Sequence, residues 1–223
     1  MFALTKPFIK LYCKIRHRRG HGIHSPFVYA LIVNVLENKL PFYAFRDIEK
    51  YIETKTSQKY KTQKYNKLVY KLIHDFQAKK ILEIGIGKGI NTLYASAPSR
   101  LIECLCIDTN STNRSAASAL LDRCQRNISM SDSLPETNQK FDCVIVDFLF
   151  CQMDTETFSA YLFAHIHENS LIILNNIRTK ESVYSLVQKI RKNEQIRLSF
   201  DLYNVGIFLL NKKYQKRNYL LNF

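Results

Sequence analysis

Residues 79–96 read KKILEIGIGKGINTLYAS, and they decide the fold. Ile81 to Ile84 is a short apolar run of strand length. Gly85, Gly87 and Gly89 follow at alternate positions, and Ile90 onward has the composition of a helix. Glycine permits positive φ and lets a ligand approach the backbone with no Cβ in the way. A strand before the loop and a helix after it make the loop a candidate cofactor cradle. A dinucleotide fingerprint requires a third glycine at position 90, where this chain has Ile90, and it calls for no carboxylate two residues before the first glycine. A P-loop requires Lys followed by Ser or Thr, but Lys88 is followed by Gly89. Glu83 repels pyrophosphate and attracts an ammonium, while the helix start near Gly89 suits a carboxylate. A cofactor that carries an amino acid satisfies both charges.

Working outward, the next apolar run ends in Asp108, 19 residues after Gly89. At that separation an acidic side chain can accept hydrogen bonds from a ribose diol in such folds. Asp132, in SMSDSLP (residues 129–135), is a third candidate, placed to meet an adenine edge. The competing readings are that Asp108 caps the helix after it and that Asp132 starts a turn.

From residue 80 the apolar runs Ile81 to Ile84, Leu101 to Ile107, Cys143 to Val146, Leu171 to Leu174, Ile196 to Leu202 and Val205 to Leu210 alternate with helical stretches near 90–97, 112–126, 155–168 and 180–192. Such alternation predicts crossover units and a mostly parallel sheet covered on both faces. Only Tyr203 and Asn204 separate the last two runs, so these form an antiparallel pair that ends the sheet. Residues 2–19, 25–38, 44–55 and 64–77 carry helical spacing, with Ser25 as an N-cap and Pro26 at the first helical position. The chain thus divides into a helical extension or cap over 1–78 and an α/β core over 79–223, with a basic, aromatic tail from Lys212.

The 223 residues hold 33 Lys and Arg against 19 Asp and Glu, and 46% are hydrophobic, enough for a sizeable core. Apolar runs such as Phe27 to Val33 fall far short of the roughly 20 residues of a membrane span. Basic residues interrupt the N-terminus, which argues against a signal peptide and predicts a cytoplasmic protein. The cysteines at 13, 104, 106, 124, 143 and 151 lack zinc-site spacing and read as reduced packing residues. Residues 1–80 hold 17 basic against 5 acidic residues, and this front end suits an anionic partner or simply a solvated helix surface. Tyr12, Tyr51, Tyr60, Tyr65 and Tyr70 recur within it, at spacings that fit half-buried packing better than stacking on nucleic-acid bases. Contact of residues 2–19 with a membrane surface is a further reading. His17, His21 and His24 surround glycines and have no carboxylate nearby, so they read as a turn and not a metal site; His165 and His167 receive no role.

On these motifs residues 79–210 resemble the class I S-adenosylmethionine-dependent methyltransferases. ILEIGIGKG looks like the family's first motif, CLCID (104–108) like its ribose-binding strand, and FDCVIVD (141–147) like the strand that carries a substrate-side aspartate. HGIHSPFVY (21–29), LIILNNI (171–177) and DLYNVGIFLL (201–210) resemble a group of bacterial methyltransferases related to the catechol-type O-methyltransferases. The resemblance implies a Rossmann-like fold: helices before a seven-stranded sheet whose last strand is antiparallel. It implies cofactor contacts at Glu83, Gly85, Gly87, Gly89, Asp108 and Asp132, and places the catechol-type metal contacts on Asp147, Asn175 and Asn176. The family usually has Asp where this chain has Asn175. A neutral amide is a poorer ligand for a hard dication, so no metal is assigned. The His or Lys expected shortly after Asp147 is replaced by Phe148, Leu149 and Phe150. Asp147 is the candidate base by its motif position, against a role as a cap or core carboxylate.

The expected activity is methyl transfer from S-adenosylmethionine to an oxygen of a small molecule. The rivals are a methyltransferase that reaches RNA or a lipid head group through the basic helices, and a cofactor-binding protein that has lost catalysis. Oligomeric state is not legible.

Overall fold

The structure is a computed structural model that describes residues 23–136, 138–151 and 153–221. The helix expected over 2–19, with Tyr12, Cys13, His17 and His21, lies outside the described residues. Strands β1 (Lys80–Ile84), β2 (Glu103–Ile107), β3 (Asn127–Ser131), β4 (Phe141–Asp147), β5 (Ile166–Asn175), β6 (Leu198–Asp201), β7 (Val205–Leu209) and β8 (Arg217–Leu220) form one sheet in the order β3-β2-β1-β4-β5-β7-β6-β8. Every adjacent pair is parallel except those made by β7, which runs antiparallel to both β5 and β6.

The interior strands are the apolar runs of the sequence, because a parallel strand covered on both faces has no solvent side to keep polar. β1, β4 and β5 are buried almost throughout their pairing segments. Two strands differ from expectation. β3 (NISMS) and β8 (RNYL) lie at the two edges, where side chains reach water and the apolar pattern breaks. The expected seven strands are therefore eight. The β6–β7 pair does form, but it does not end the sheet: the tail adds β8 in parallel to β6, with Leu198 opposite Arg217. The antiparallel strand is the seventh, and it is not the last.

Helices α1 (Pro26–Leu31), α2 (Tyr43–Thr56), α3 (Lys64–Phe76), α4 (Ile90–Ser96) and α5 (Ser111–Leu121) cover one face. α6 (Thr155–Ala164) and α7 (Glu181–Lys192) cover the other. Alternation along β1 divides the core: Ile81 belongs to the cluster that contains Leu68, Leu72 and Tyr94, and Leu82 to the one that contains Phe158 and Val187. Ser25 caps α1 by accepting from the Val28 N–H at 3.4 Å, and α1 continues into a π-helical turn over Ile32–Leu36. Phe27 stacks on Tyr214, with ring centroids 4.4 Å apart, which ties the first described helix to the tail. Cys104, Cys106 and Cys143 are free and buried on the strands, as packing residues. Among the described residues no helix is long and apolar enough to cross a membrane.

Registers Ile84 to Ile107, Ile84 to Val146 and Asp147 to Asn175 align the carboxyl ends of β1, β2, β4 and β5. In open α/β sheets ligand crevices form at that edge.

Candidate functional site

The loop after β1 is held by its own glycines. Gly85, Gly87 and Gly89 have φ of +78°, +53° and +74°. A Cβ on Gly85 would lie 2.6 Å from the Asp147 carbonyl oxygen and 2.9 Å from the Cys151 nitrogen, so this glycine lets the loop touch the end of β4. A Cβ on Gly87 would lie 2.8 Å from the Phe150 ring, which packs over the loop. Glu83 is buried and faces the start of α4, where Asn91 Nδ2 donates to Oε1 at 2.8 Å and Thr92 Oγ1 donates to Oε2 at 2.7 Å. Burial pushes its carboxyl up to about 7, against those two hydrogen bonds and with the Asp147 charge adding to the rise.

Asp108 is buried at the end of β2. It accepts from the Gly87 N–H at 3.1 Å and the Asn110 N–H at 2.9 Å, and Asn113 Nδ2 reaches both of its oxygens, at 3.3 and 3.1 Å. The cap of α5 is the neighbouring Asn110, whose Oδ1 accepts from the Thr112 and Asn113 N–H groups. The capping role considered for Asp108 thus falls to Asn110. Asp132 follows β3 with an exposed side chain and lies 3.9 Å from Arg114. It is not among the residues that line the cleft described next.

Asp147 closes β4 and accepts three hydrogen bonds. Oδ1 takes the Leu149 N–H at 2.9 Å and Asn176 Nδ2 at 2.7 Å, while Oδ2 takes, among the described residues, only Asn175 Nδ2, at 2.8 Å. Asn176 holds φ of +58°, a conformation that asparagine tolerates better than most residues. The three residues make a carboxylate clamped by two amides. This donor set does not fit a hard dication, since N–H groups occupy the carboxylate edge and only one of the three side chains is anionic. Among the described residues no group of three His, Cys, Asp or Glu side chains is arranged to hold a metal.

One cleft of about 730 Å³ joins Glu83 and the glycine loop to Asp147, with Asp108 behind its Asn113 wall and not among the lining residues. Its loop side is lined by Glu83, Gly85, Lys88, Asn91 and Asn113, and its far side by Asp147, Asn175, Asn176, Tyr203 and Asn204. The first turn of α3 contributes Tyr65 and Asn66, and the exposed Leu149 and Phe150 form an apolar lip. The size is within the usual range of small-molecule sites. Behind the far wall, Arg178 makes a two-pronged ion pair with buried Asp201, at 2.9 and 2.7 Å, and donates to the Tyr203 carbonyl. Its guanidinium lies 4.9 and 5.1 Å from the Tyr184 and Tyr203 ring centroids. This clamp fixes the β6–β7 turn, in which Tyr203 holds φ of +71°.

Sequence reasoning brought forward Glu83, the glycines, Asp108 and Asp147, which converge on one edge of the sheet. It missed Asn91, Thr92, Asn113 and the Arg178 clamp. Asn91 and Thr92 were detectable as polar residues on the first turn of a helix that packs on the Glu83 strand; the Arg178–Asp201 pair spans 23 residues and left no local signal.

Comparison with solved structures decides the family of folds. An O-methyltransferase from Bacillus cereus in complex with S-adenosylhomocysteine superposes with a TM-score of 0.57 at 14% identity, over 82% of this chain and 97% of that one. The chain has the Rossmann-like methyltransferase fold. A methyltransferase from Podospora anserina bound to the same product matches with a TM-score of 0.57 at 12% identity, over 85% and 97% of the two chains. The O-methyltransferase TomG from Streptomyces achromogenes, involved in tomaymycin synthesis and crystallised with S-adenosylmethionine, matches with a TM-score of 0.53 at 12% identity, over 82% and 95%. No protein-family model matches the sequence, and no curated protein matches it. At these identities the likeness shows the fold.

Proposed function

We propose that the chain is an S-adenosylmethionine-dependent methyltransferase whose acceptor is a hydroxyl oxygen of a small molecule, with the helices before residue 79 acting as a cap over the cleft. The observation that carries this reading is that the glycine loop and Asp147 open into a single cleft at the carboxyl edge of the sheet. Three structural neighbours carry the cofactor or its product in that fold.

The residues fit the cofactor. Gly85 gives it a stretch of backbone wall without a side chain, and Asp108, buried behind Asn113, would take a ribose diol in exchange for the bonds Asn113 now makes to it. Asn91, already turned to Glu83, and Lys88 supply polar and positive groups for its amino-acid end. Asp132, which follows β3, stays the proposed adenine-side contact; like Asp108 it is not among the residues that line the cleft. When bound, S-adenosylmethionine supplies a methyl group on a sulfonium, an electrophile that needs no covalent enzyme intermediate. The work of the chain is then to position the acceptor and to exclude water. Asp147 takes the acceptor proton on Oδ2, the oxygen with a single amide partner. Asn175 and Asn176 hold that carboxylate in place, and Leu149 and Phe150 shelter the mouth.

Calorimetric titration tests the reading. Heat from S-adenosylmethionine that S-adenosylhomocysteine abolishes by competition is the expected result. No heat and no competition at millimolar ligand removes it.

A further inference from the structure

Three tyrosine hydroxyls around α3 have partners within the chain. Tyr51 donates to the Leu120 carbonyl at 2.8 Å, Tyr60 donates to Asn66 Oδ1 at 3.1 Å, and Tyr94 pairs with Thr62 at 2.9 Å. Tyr65 differs. It lines the cleft, and its hydroxyl oxygen is buried with no hydrogen-bond partner among the described residues. Buried polar atoms in native proteins are paired, so an orphan at the wall of a ligand cleft points to a partner that arrives with the ligand. The residue next to it cannot fill the role: Asn66 donates to Asn91, which donates to Glu83, a closed chain.

Resting on the methyltransferase reading above, we propose that Tyr65 holds the acceptor, its hydroxyl donating a hydrogen bond to the oxygen that receives the methyl group. Tyr65 and Asp147 line the same cleft, and burial, with the Asp147 and Glu83 charges adding to it, pushes the phenol well above its ordinary range. The phenol stays protonated, which makes it a donor and not a base. An alcohol oxygen has one hydrogen and two lone pairs. The hydrogen points to Asp147 Oδ2, one lone pair takes the Tyr65 hydrogen, and the second remains to attack the methyl carbon. With S-adenosylmethionine bound, the new oxygen–carbon bond would replace the carbon–sulfur bond, whose electron pair would stay on sulfur, and Asp147 would hold the proton. A neutral amine has a single lone pair, which the same Tyr65 bond would occupy. The arrangement therefore selects oxygen over nitrogen acceptors, with Tyr65 as the specificity determinant.

The test is Tyr65→Phe, which removes the hydroxyl and keeps the ring. A hydroxyl that serves only the ligand leaves the free protein as stable as before or more so, whereas a structural hydroxyl lowers the thermal midpoint on removal. Binding is then measured with two probes: S-adenosylhomocysteine, and phenol added to the protein saturated with it, followed by ligand-observed magnetic resonance. The expected result is an unchanged or raised midpoint, S-adenosylhomocysteine affinity within twofold of the parent, and phenol affinity at least tenfold weaker. A lowered midpoint, a matching loss of S-adenosylhomocysteine affinity, or parent protein that takes S-adenosylhomocysteine but no phenol overturns the assignment to Tyr65. Parent protein that fails to bind S-adenosylhomocysteine overturns the methyltransferase reading instead, so the two failures are distinguishable.

Discussion

The two walls of the cleft are built on opposite plans. On the loop side each acidic group is already engaged by the chain: Glu83 by Asn91 and Thr92, Asp108 by Gly87, Asn110 and Asn113. Away from the loop side hydrogen-bonding capacity is left over, in the second oxygen of Asp147 on the far side and in the Tyr65 hydroxyl on the first turn of α3. The difference teaches which wall is shaped by the chain alone. The loop side has its acidic groups hydrogen-bonded before any ligand arrives, which suits a cofactor of fixed shape. The far side takes its last contacts from whatever enters, which suits the variable partner.

The largest expected effect comes from breaking the join between the walls. Gly85→Ala puts a methyl group 2.6 Å from the Asp147 carbonyl at a positive φ. Strain and overpacking together should destabilise the protein by about 5 kcal/mol, measured by chemical denaturation. A loss under about 1 kcal/mol would mean that the loop and β4 move independently. Next is the support of the far wall. Arg178→Ala leaves Asp201 buried with the peripheral Arg191, 3.0 Å away, as its remaining charged partner among the described residues, beside the Tyr203 N–H. About 4 kcal/mol should be lost, and phenol affinity should fall with it because the Tyr203 turn loses its clamp. If phenol affinity holds while stability falls, the clamp is structural only.

How much of this contrast was legible in the sequence follows from the range of each interaction. The loop wall was readable because its logic is local: Glu83, three alternating glycines and a helix start lie within a dozen residues, and Asp108 follows at a fixed distance. The interior strands were readable because burial on both faces forces continuous apolar runs. The edge strands β3 and β8 were not, since half their side chains meet water and their pattern resembles loop. The far wall was legible only in part. Asp147, Asn175 and Asn176 stood out by motif position, but Tyr65 looked like one packing tyrosine among several. Whether a hydroxyl is paired depends on residues distant in sequence, and no spacing encodes it.

A smaller effect sharpens the loop wall. The Glu83 carboxyl titrates near 7 in the folded protein, against 4.5 when free. Between these values the folded state binds more protons than the unfolded one, so this group's contribution is fullest below pH 4.5 and is lost as pH rises through about 7. Glu83→Gln should remove that decline, worth about 3 kcal/mol across the window, as read from stability curves at several pH values. An unchanged slope would mean that another group sets it.

The smallest effect tests whether the far wall retains any memory of a cation site. Asp147 with two amides offers a single negative charge, so millimolar magnesium should leave the thermal midpoint of the parent protein unmoved. Asn175→Asp changes this balance. It places a second carboxylate where an amide now donates to Asp147, and the two like charges should cost about 1 kcal/mol, or a drop of about 3 °C, without the metal. Magnesium binds the folded arrangement of two carboxylates and not the unfolded chain, so it should restore the lost stability through linkage. A parent protein stabilised by magnesium would overturn the view of Asn175 and Asn176 as clamps on a carboxylate. A variant indifferent to magnesium would show instead that the geometry, and not only the charge, has moved away from metal binding.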